Sequence, residues 1–213
     1  MAVSVNLPAL IPPLIAAAIS LPGGWLAVGA VKRETGVTVP VPAMVGMSLG
    51  LAIWAALVLP PDYRLAATSL LSWMLLVLAV TDFTVLRLPN LFTLTAAGAG
   101  LLLSFWLPDR APLAHLVGAA AGFLVLFAIA RAYWRIRGRE GLGLGDAKLA
   151  AAAGAWLGWQ ALPYVVLIAC AAAFIWVGVM AALQGKEALT RELPFGVPLC
   201  LAFWLVWLYG SPL

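Results

Sequence analysis

The sequence predicts an all-α, polytopic integral membrane protein of about eight transmembrane helices with both termini on the outer side. Three observations carry that expectation. The chain of 213 residues is 65% hydrophobic and 9% charged, with a mean hydropathy of +1.08. Apolar runs of about 20 residues, the length that crosses a bilayer core, recur along it. Its Lys and Arg residues gather in alternate connections between those runs. Nearly all of the length is apolar run or short connection, so one integral membrane domain over residues 1–213 is the economical organisation. The same composition excludes a disordered chain.

Lys and Arg accumulate in cytoplasmic loops, and that rule orders the elements. The first helix is expected from about Leu7 to Val31, made irregular by Pro12, Pro13, Pro22, Gly23 and Gly24. No basic residue precedes Lys32, so this run lacks the charged start of a cleaved signal and is expected to stay as a span. Lys32 and Arg33 then mark the cytoplasm. The second helix runs from Val41 to Leu59 and ends outside at Pro60 and Pro61. The third returns from Leu65 with Asp82 near its inner end, followed by Arg87 and the turn Leu88, Pro89, Asn90.

The fourth helix extends from Leu91 to Leu107, and an outer turn from Pro108 to Pro112 starts the fifth, which reaches the cluster Arg131, Arg135, Arg137 and Arg139. A glycine-rich loop, Gly138 to Gly145, leads to Asp146 and a short sixth helix as far as about Trp159. Pro163 opens a seventh helix to about Leu183, and the inner loop Gln184 to Leu193 precedes the last, which ends near Tyr209. This threading puts Lys32, Arg33, Arg87, Arg131, Arg135, Arg137, Arg139, Lys148, Lys186 and Arg191 inside and only Arg64 and Arg110 outside. A missed or extra span would scramble that asymmetry. Gly98, Gly100, Gly118 and Gly122 are placed to let helices approach closely.

The formal charge of +4 does not point to nucleic acid, because the basic residues are spread among membrane loops without a stripe of stacking aromatics. Cys170 and Cys200 lie inside apolar runs, where a thiol behaves as a small buried hydrophobe. The one histidine, His115, falls near the outer face and reads as structural, so neither a metal site nor a Ser/His or Cys/His hydrolase is expected. Trp156, Trp159, Trp204 and Trp207 suit membrane interfaces.

Six of the eight acidic residues stand in loops beside basic neighbours and read as solvated charges. Asp82 and Asp146 differ. Each abuts an apolar helix at the same, cytoplasmic, face, and an ionisable group there marks a functional site because burying it is costly. Alternation of glycine with larger residues from Gly141 to Gly145 lets the backbone pack closely or expose unpaired amides ahead of the helix. Asp146 is then expected as the N-cap, favoured in its ionised form by the positive helix end and by Lys148. Asp82, at a C-terminal end, meets the negative pole. Opposite helix ends would divide the work of a carboxylate pair, with Asp146 the more readily ionised partner and Asp82 the more readily protonated one. One member takes a proton from water and the other polarises a scissile carbonyl, as an aspartic protease requires.

Asp82 with Arg87, Leu88, Pro89 and Asn90, and then Gly143, Leu144, Gly145, Asp146, Ala147, Lys148 and Leu149, resemble the two signature regions of the prepilin leader peptidases, the GxGD-type aspartic proteases of bacterial membranes. The stretches Gly154 to Gln160 and Leu193 to Pro198 also look like family sequence, and the resemblance covers about residues 65–200. It implies that Asp82 and Asp146 are the catalytic aspartates, with Gly143 and Gly145 shaping the active loop. It further implies a multi-pass protein of the bacterial inner membrane that removes the basic leader of type IV prepilin or type II secretion pseudopilin precursors at the cytoplasmic face. Many family members also carry a cytoplasmic segment with two CxxC pairs resembling a zinc site, and N-methylate the new amino terminus. This chain has neither pair, and its first inner loop, Lys32 to Pro40, is too short for such a segment. The case for methyl transfer is correspondingly weak, and no zinc or other cofactor is expected. Two readings from other classes use the same acids: a small proton- or cation-coupled transporter, and an inactive assembly factor.

Overall fold

The computed structural model describes residues 22–60, 63–106, 110–138, 141–185, 187 and 192–210. Most of the expected first helix, the turns at Pro61 and Pro108, and the loop cations Arg139, Lys186 and Arg191 lie outside those residues. Among the described residues the protein is helical throughout and has no strand. A helix over 22–35 (α1) is followed by Val41–Val58 (α2), Tyr63–Val85 (α3), Asn90–Trp106 (α4), Pro112–Arg137 (α5), Leu144–Leu157 (α6), Leu162–Gln184 (α7) and Gly196–Tyr209 (α8). A single 3-10 turn, Trp159–Ala161, joins α6 to α7.

Each helix start and stop has a local cause. Proline stands in the first turn of α2, α5 and α7, where its missing N–H has no partner to lose. Gly36 and Gly138 end α1 and α5 with φ of 72° and 65°, the left-handed conformation that glycine adopts without strain. Four helical stretches, Val41–Val58, Arg64–Val85, Pro112–Arg137 and Trp159–Gln184, are long and apolar enough to cross a membrane. α4 and α8 are apolar but shorter, and α6, with 14 residues, extends only about 21 Å. Several apolar helices of this kind make a multi-pass membrane protein.

The chain divides into two compact units, Met1–Val77 and Leu78–Leu213. In the first, Met44, Ser48, Ala52 and Ala55 form one buried stripe of α2 at helical spacing. Gly24 of α1 lies so close to this helix that an added Cβ would stand 2.7 Å from the Cα of Val45.

In the second unit α6 is the central element. Its run of small residues explains why, since Ala147, Ala150, Ala152, Ala153 and Ala155 are fully buried and let neighbouring backbones approach. Gly118 and Gly122 of α5 rest on Gly154 and Ala150 of α6, and Gly100 of α4 rests on Trp156. Of the four glycines expected at close crossings, three are there. Gly98 is the exception, with nothing within 4 Å of an added Cβ.

Trp156 also corrects an expectation, for it is a core residue and not an interfacial one. Its exposure is 0%, its Nε1 donates to the carbonyl of Ala96 at 2.7 Å, and Trp207 packs edge-on against it at 5.1 Å. Trp204 is likewise buried, whereas Trp159 is exposed. Trp156→Phe removes the indole donor and part of the volume. It should therefore lower stability by about 1 kcal/mol or more, read as an earlier thermal unfolding in detergent.

The far end of α6 is closed by side chains. His115 is buried with Nδ1 3.0 Å from the carbonyl of Ala155, and Arg110 donates to the carbonyl of Trp156 while its guanidinium lies over Trp207. Both satisfy orphan carbonyls at a helix C-terminus, which is the structural role expected of His115.

Candidate active site

Asp82 lies in the last turn of α3, and Asp146 in the first turn of α6. They are buried to 5% and 8% exposure, and among the described residues no other Asp, Glu, Lys or Arg is buried. The fold brings them together, near enough that the Asp146 carboxylate feels the charge of Asp82. Cys200 of α8 is buried within electrostatic reach of both.

Asp146 is held from its own helix. The N-cap is Gly143, not Asp146, because the extended backbone at Gly143 (φ −73°, ψ 148°) lets the helix begin at Leu144. Asp146 thus occupies the third helical position. Its Oδ2 accepts the N–H of Gly143 at 3.1 Å, and its own N–H donates to the carbonyl of Gly143 at 3.1 Å. This is the reach-back half of a capping box, and it puts the carboxylate at the positive helix end by a different route from the one expected. The preceding loop is pinned by Leu142, which packs on Leu126, Ala147 and Ala150, and by Gly141, where an added Cβ would run into the Tyr133 ring.

Asp82 has surroundings that the sequence did not announce. The amides of Gly196 and Val197, the first two residues of α8, face its carboxylate. An added Cβ at Gly196 would stand 2.8 Å from Asp82 Oδ2. Asp82 therefore has the C-terminal pole of its own helix behind it and the N-terminal pole of α8 in front. The two acids are not separated by a simple contrast of helix ends. Asp82 Oδ2 is buried and has no hydrogen-bond partner among the described residues, a costly state for a polar atom unless something else occupies the site.

The remaining expected site residues fall nearby. Gly145 supports the loop, since a Cβ there would stand 2.9 Å from the Cβ of Leu88. Lys148 does not reinforce Asp146 by contact. Its Nζ donates to Asn90 Oδ1 at 2.6 Å, tying α6 to the turn that follows Asp82. Three contributors escaped a reading based on charge and spacing: Leu88, Asn90 and Gly196. Their only signal was membership in the strings Leu88-Pro89-Asn90 and Leu193 to Pro198. Among the described residues no group of three or more His, Cys, Asp or Glu is placed to hold a metal ion.

The sequence matches the model of the type IV leader peptidase family over residues 69–182, a span that contains both aspartates and the loop between α5 and α6. It is similar to a prepilin leader peptidase/N-methyltransferase of Aeromonas salmonicida (strain A449), with 38% identity over 162 residues, 76% of this chain and 55% of the relative. A protein of the same name from Burkholderia pseudomallei (strain 1026b) is 40% identical over 153 residues, 72% of this chain and 49% of the relative. One from Klebsiella pneumoniae is 43% identical over 127 residues, 58% of this chain and 54% of the relative. The chain spans about half the length of these relatives. No solved structure matches it. With more than half of its residues covered by the family model, the chain belongs to the type IV leader peptidase family.

Proposed function

We propose that the protein is a membrane-embedded aspartic endopeptidase that removes the basic leader from prepilin or pseudopilin precursors at the cytoplasmic face of the bacterial inner membrane. The observation that carries this reading is a pair of buried carboxylates, Asp146 within the field of Asp82, in a chain of the leader peptidase family. Asp82 and Asp146 hold a water between them. One carboxylate takes a proton from that water as its oxygen attacks the scissile carbonyl, and the other, protonated, donates to the carbonyl oxygen. The tetrahedral adduct then collapses as a proton passes to the departing amine. Because the acids interact, the proton they share belongs to the pair. Gly143 and Gly145 shape the loop beside the reacting bond, and Lys148 braces it through Asn90.

The reading includes one integral membrane domain over residues 1–213, about eight spans and both termini outside, with the substrate's apolar helix reaching the site from the bilayer. The count of inner and outer cations supports that orientation. Peptidase action without methyl transfer is the form that the missing CxxC pairs favour. The family match lends no support to the transporter alternative.

The test is cleavage of a precursor peptide with a basic leader, a glycine at the cut and an apolar helix, using the purified full chain in detergent. Shortening by the length of the leader is expected, and an unprocessed precursor would sink the reading. A strong metal chelator should leave the rate unchanged, since two carboxylates with no third His, Cys, Asp or Glu placed to share an ion among the described residues are a weak set for a catalytic cation. A rate that falls with chelation and returns with a divalent ion would remove the two-acid mechanism.

A further inference from the structure

The turn between α3 and α4 is built more tightly than a connection needs. Leu86 takes φ of 54°, the left-handed region that a bulky side chain enters only under constraint. Its N–H donates to the carbonyl of Asp82 at 2.9 Å. Two residues beyond Leu88, Asn90 accepts the 2.6 Å bond from Lys148. The turn is thus anchored to Asp82 at one end and to α6 at the other, with Leu88 between the anchors.

The Leu88 side chain fills the space where three helix ends meet. Cβ positions built on Gly145 would stand 2.9 Å from Leu88 Cβ and 3.3 Å from its Cδ1. A Cβ built on Gly196 would stand 3.1 Å from the same Cδ1 and 2.8 Å from Asp82 Oδ2. Gly145 adjoins Asp146 in the chain, and Gly196 touches Asp82. One isobutyl group therefore separates the backbone that carries one carboxylate from the backbone that faces the other. Both of those positions are glycine, and a Cβ at either would meet Leu88.

We propose that Leu88 is a positioning residue for the aspartate pair: its side chain is the spacer that fixes the separation between the start of α6 and the start of α8 beside Asp82. This rests on reading Asp82 and Asp146 as the reacting pair. Loss of the spacer lets the two helix starts settle, and a displacement of about 1 Å between reacting groups lowers turnover by as much as about 100-fold. The substrate contacts elsewhere are untouched, so the effect falls on kcat and not on KM.

In the full chain, Leu88→Ala should lower kcat for the precursor peptide about 10- to 100-fold with KM within about threefold. Leu88→Met, of similar volume, should recover most of the loss. Gly145→Ala drives its new methyl into Leu88 and should lose at least as much activity. The double variant Leu88→Gly/Gly145→Ala should exceed Gly145→Ala alone by about tenfold, because glycine at 88 removes the Cβ, Cγ and Cδ1 that the new methyl would meet. A side chain that merely fills space would show no such reciprocity. A double variant no better than Gly145→Ala, or a Leu88→Ala kcat within about threefold of the parent, overturns the proposal. If Leu88→Ala does not fold, Leu88→Val takes its place with the same outcomes.

A substrate-free readout keeps this separate from the peptidase reading. Infrared titration of the carboxyl bands, assigned with Asp82→Asn and Asp146→Asn, gives the separation between the two ionisation steps of the pair. Leu88→Ala should change that separation, and an unchanged one overturns the spacer role. If the parent chain cleaves no precursor while the titration responds to Leu88→Ala, the peptidase reading fails and the spacer stands.

Discussion

Asp82→Asn and Asp146→Asn should each lower precursor cleavage by at least about 10³-fold while thermal unfolding stays close to that of the parent chain. The fold tolerates both changes for identifiable reasons. An asparagine at 146 still offers a carbonyl oxygen to the Gly143 N–H, so the start of α6 keeps its reach-back bond. An asparagine at 82 likewise keeps a carbonyl oxygen for the Gly196 and Val197 amides that face this side chain. What neither amide can do is take a proton from water or hand one to a carbonyl. Because the two acids act as a unit, removing both should cost little more than removing one. Either single variant keeping more than about a tenth of the parent turnover would show that the other carboxylate suffices, and the pair mechanism would be wrong.

Chemistry and scaffold were unequally readable in the sequence. Asp82 and Asp146 stood out because charge is scarce in an apolar chain and costly at a span's end. The helices were visible for a related reason: long apolar runs punctuated by proline and glycine leave few other structures, and the observed ends fall within a few residues of those expected. Geometry inside the site was harder. Whether Asp146 is the cap or the third residue of α6 depends on the backbone angles of Gly143, which no residue type encodes. The approach of α8 to Asp82 is a contact between segments more than 100 residues apart, and it leaves no trace in local pattern. Trp156 was misread because tryptophan serves both interfaces and cores, and only the Ala96 carbonyl opposite its indole decides between them. Lys148 was placed at the right helix end but paired with the wrong residue, since a long side chain reaches across to a neighbouring turn as readily as along its own helix.

Gly154→Ala, the addition of one methyl group, should be among the most damaging single changes in the protein. A Cβ on Gly154 would overlap the carbonyl carbon and oxygen of Gly118 and come within 2.8 Å of the nitrogen of Ala119. A Cβ on Gly118 would stand 2.5 Å from the Gly154 oxygen and 2.8 Å from the carbonyl carbon of Gly158. These are backbone atoms, which cannot rotate aside, so α5 and α6 would have to separate. Overpacking of a core costs about 1–3 kcal/mol when side chains can adjust, and more when they cannot. Against a total stability of roughly 5–15 kcal/mol, that is enough to deplete the folded protein. Gly98→Ala supplies the comparison, since an added methyl there meets nothing within 4 Å and alanine is the better helix former. It should be neutral or stabilising by up to about 1 kcal/mol. Thermal unfolding and the monodisperse yield in detergent separate the two variants, and equal values would show that the α5–α6 crossing is looser than these contacts require. Any Gly154→Ala protein that does fold should also cleave poorly. Asp146 sits two turns along the same helix, and a shift of α6 away from α5 carries that carboxylate with it.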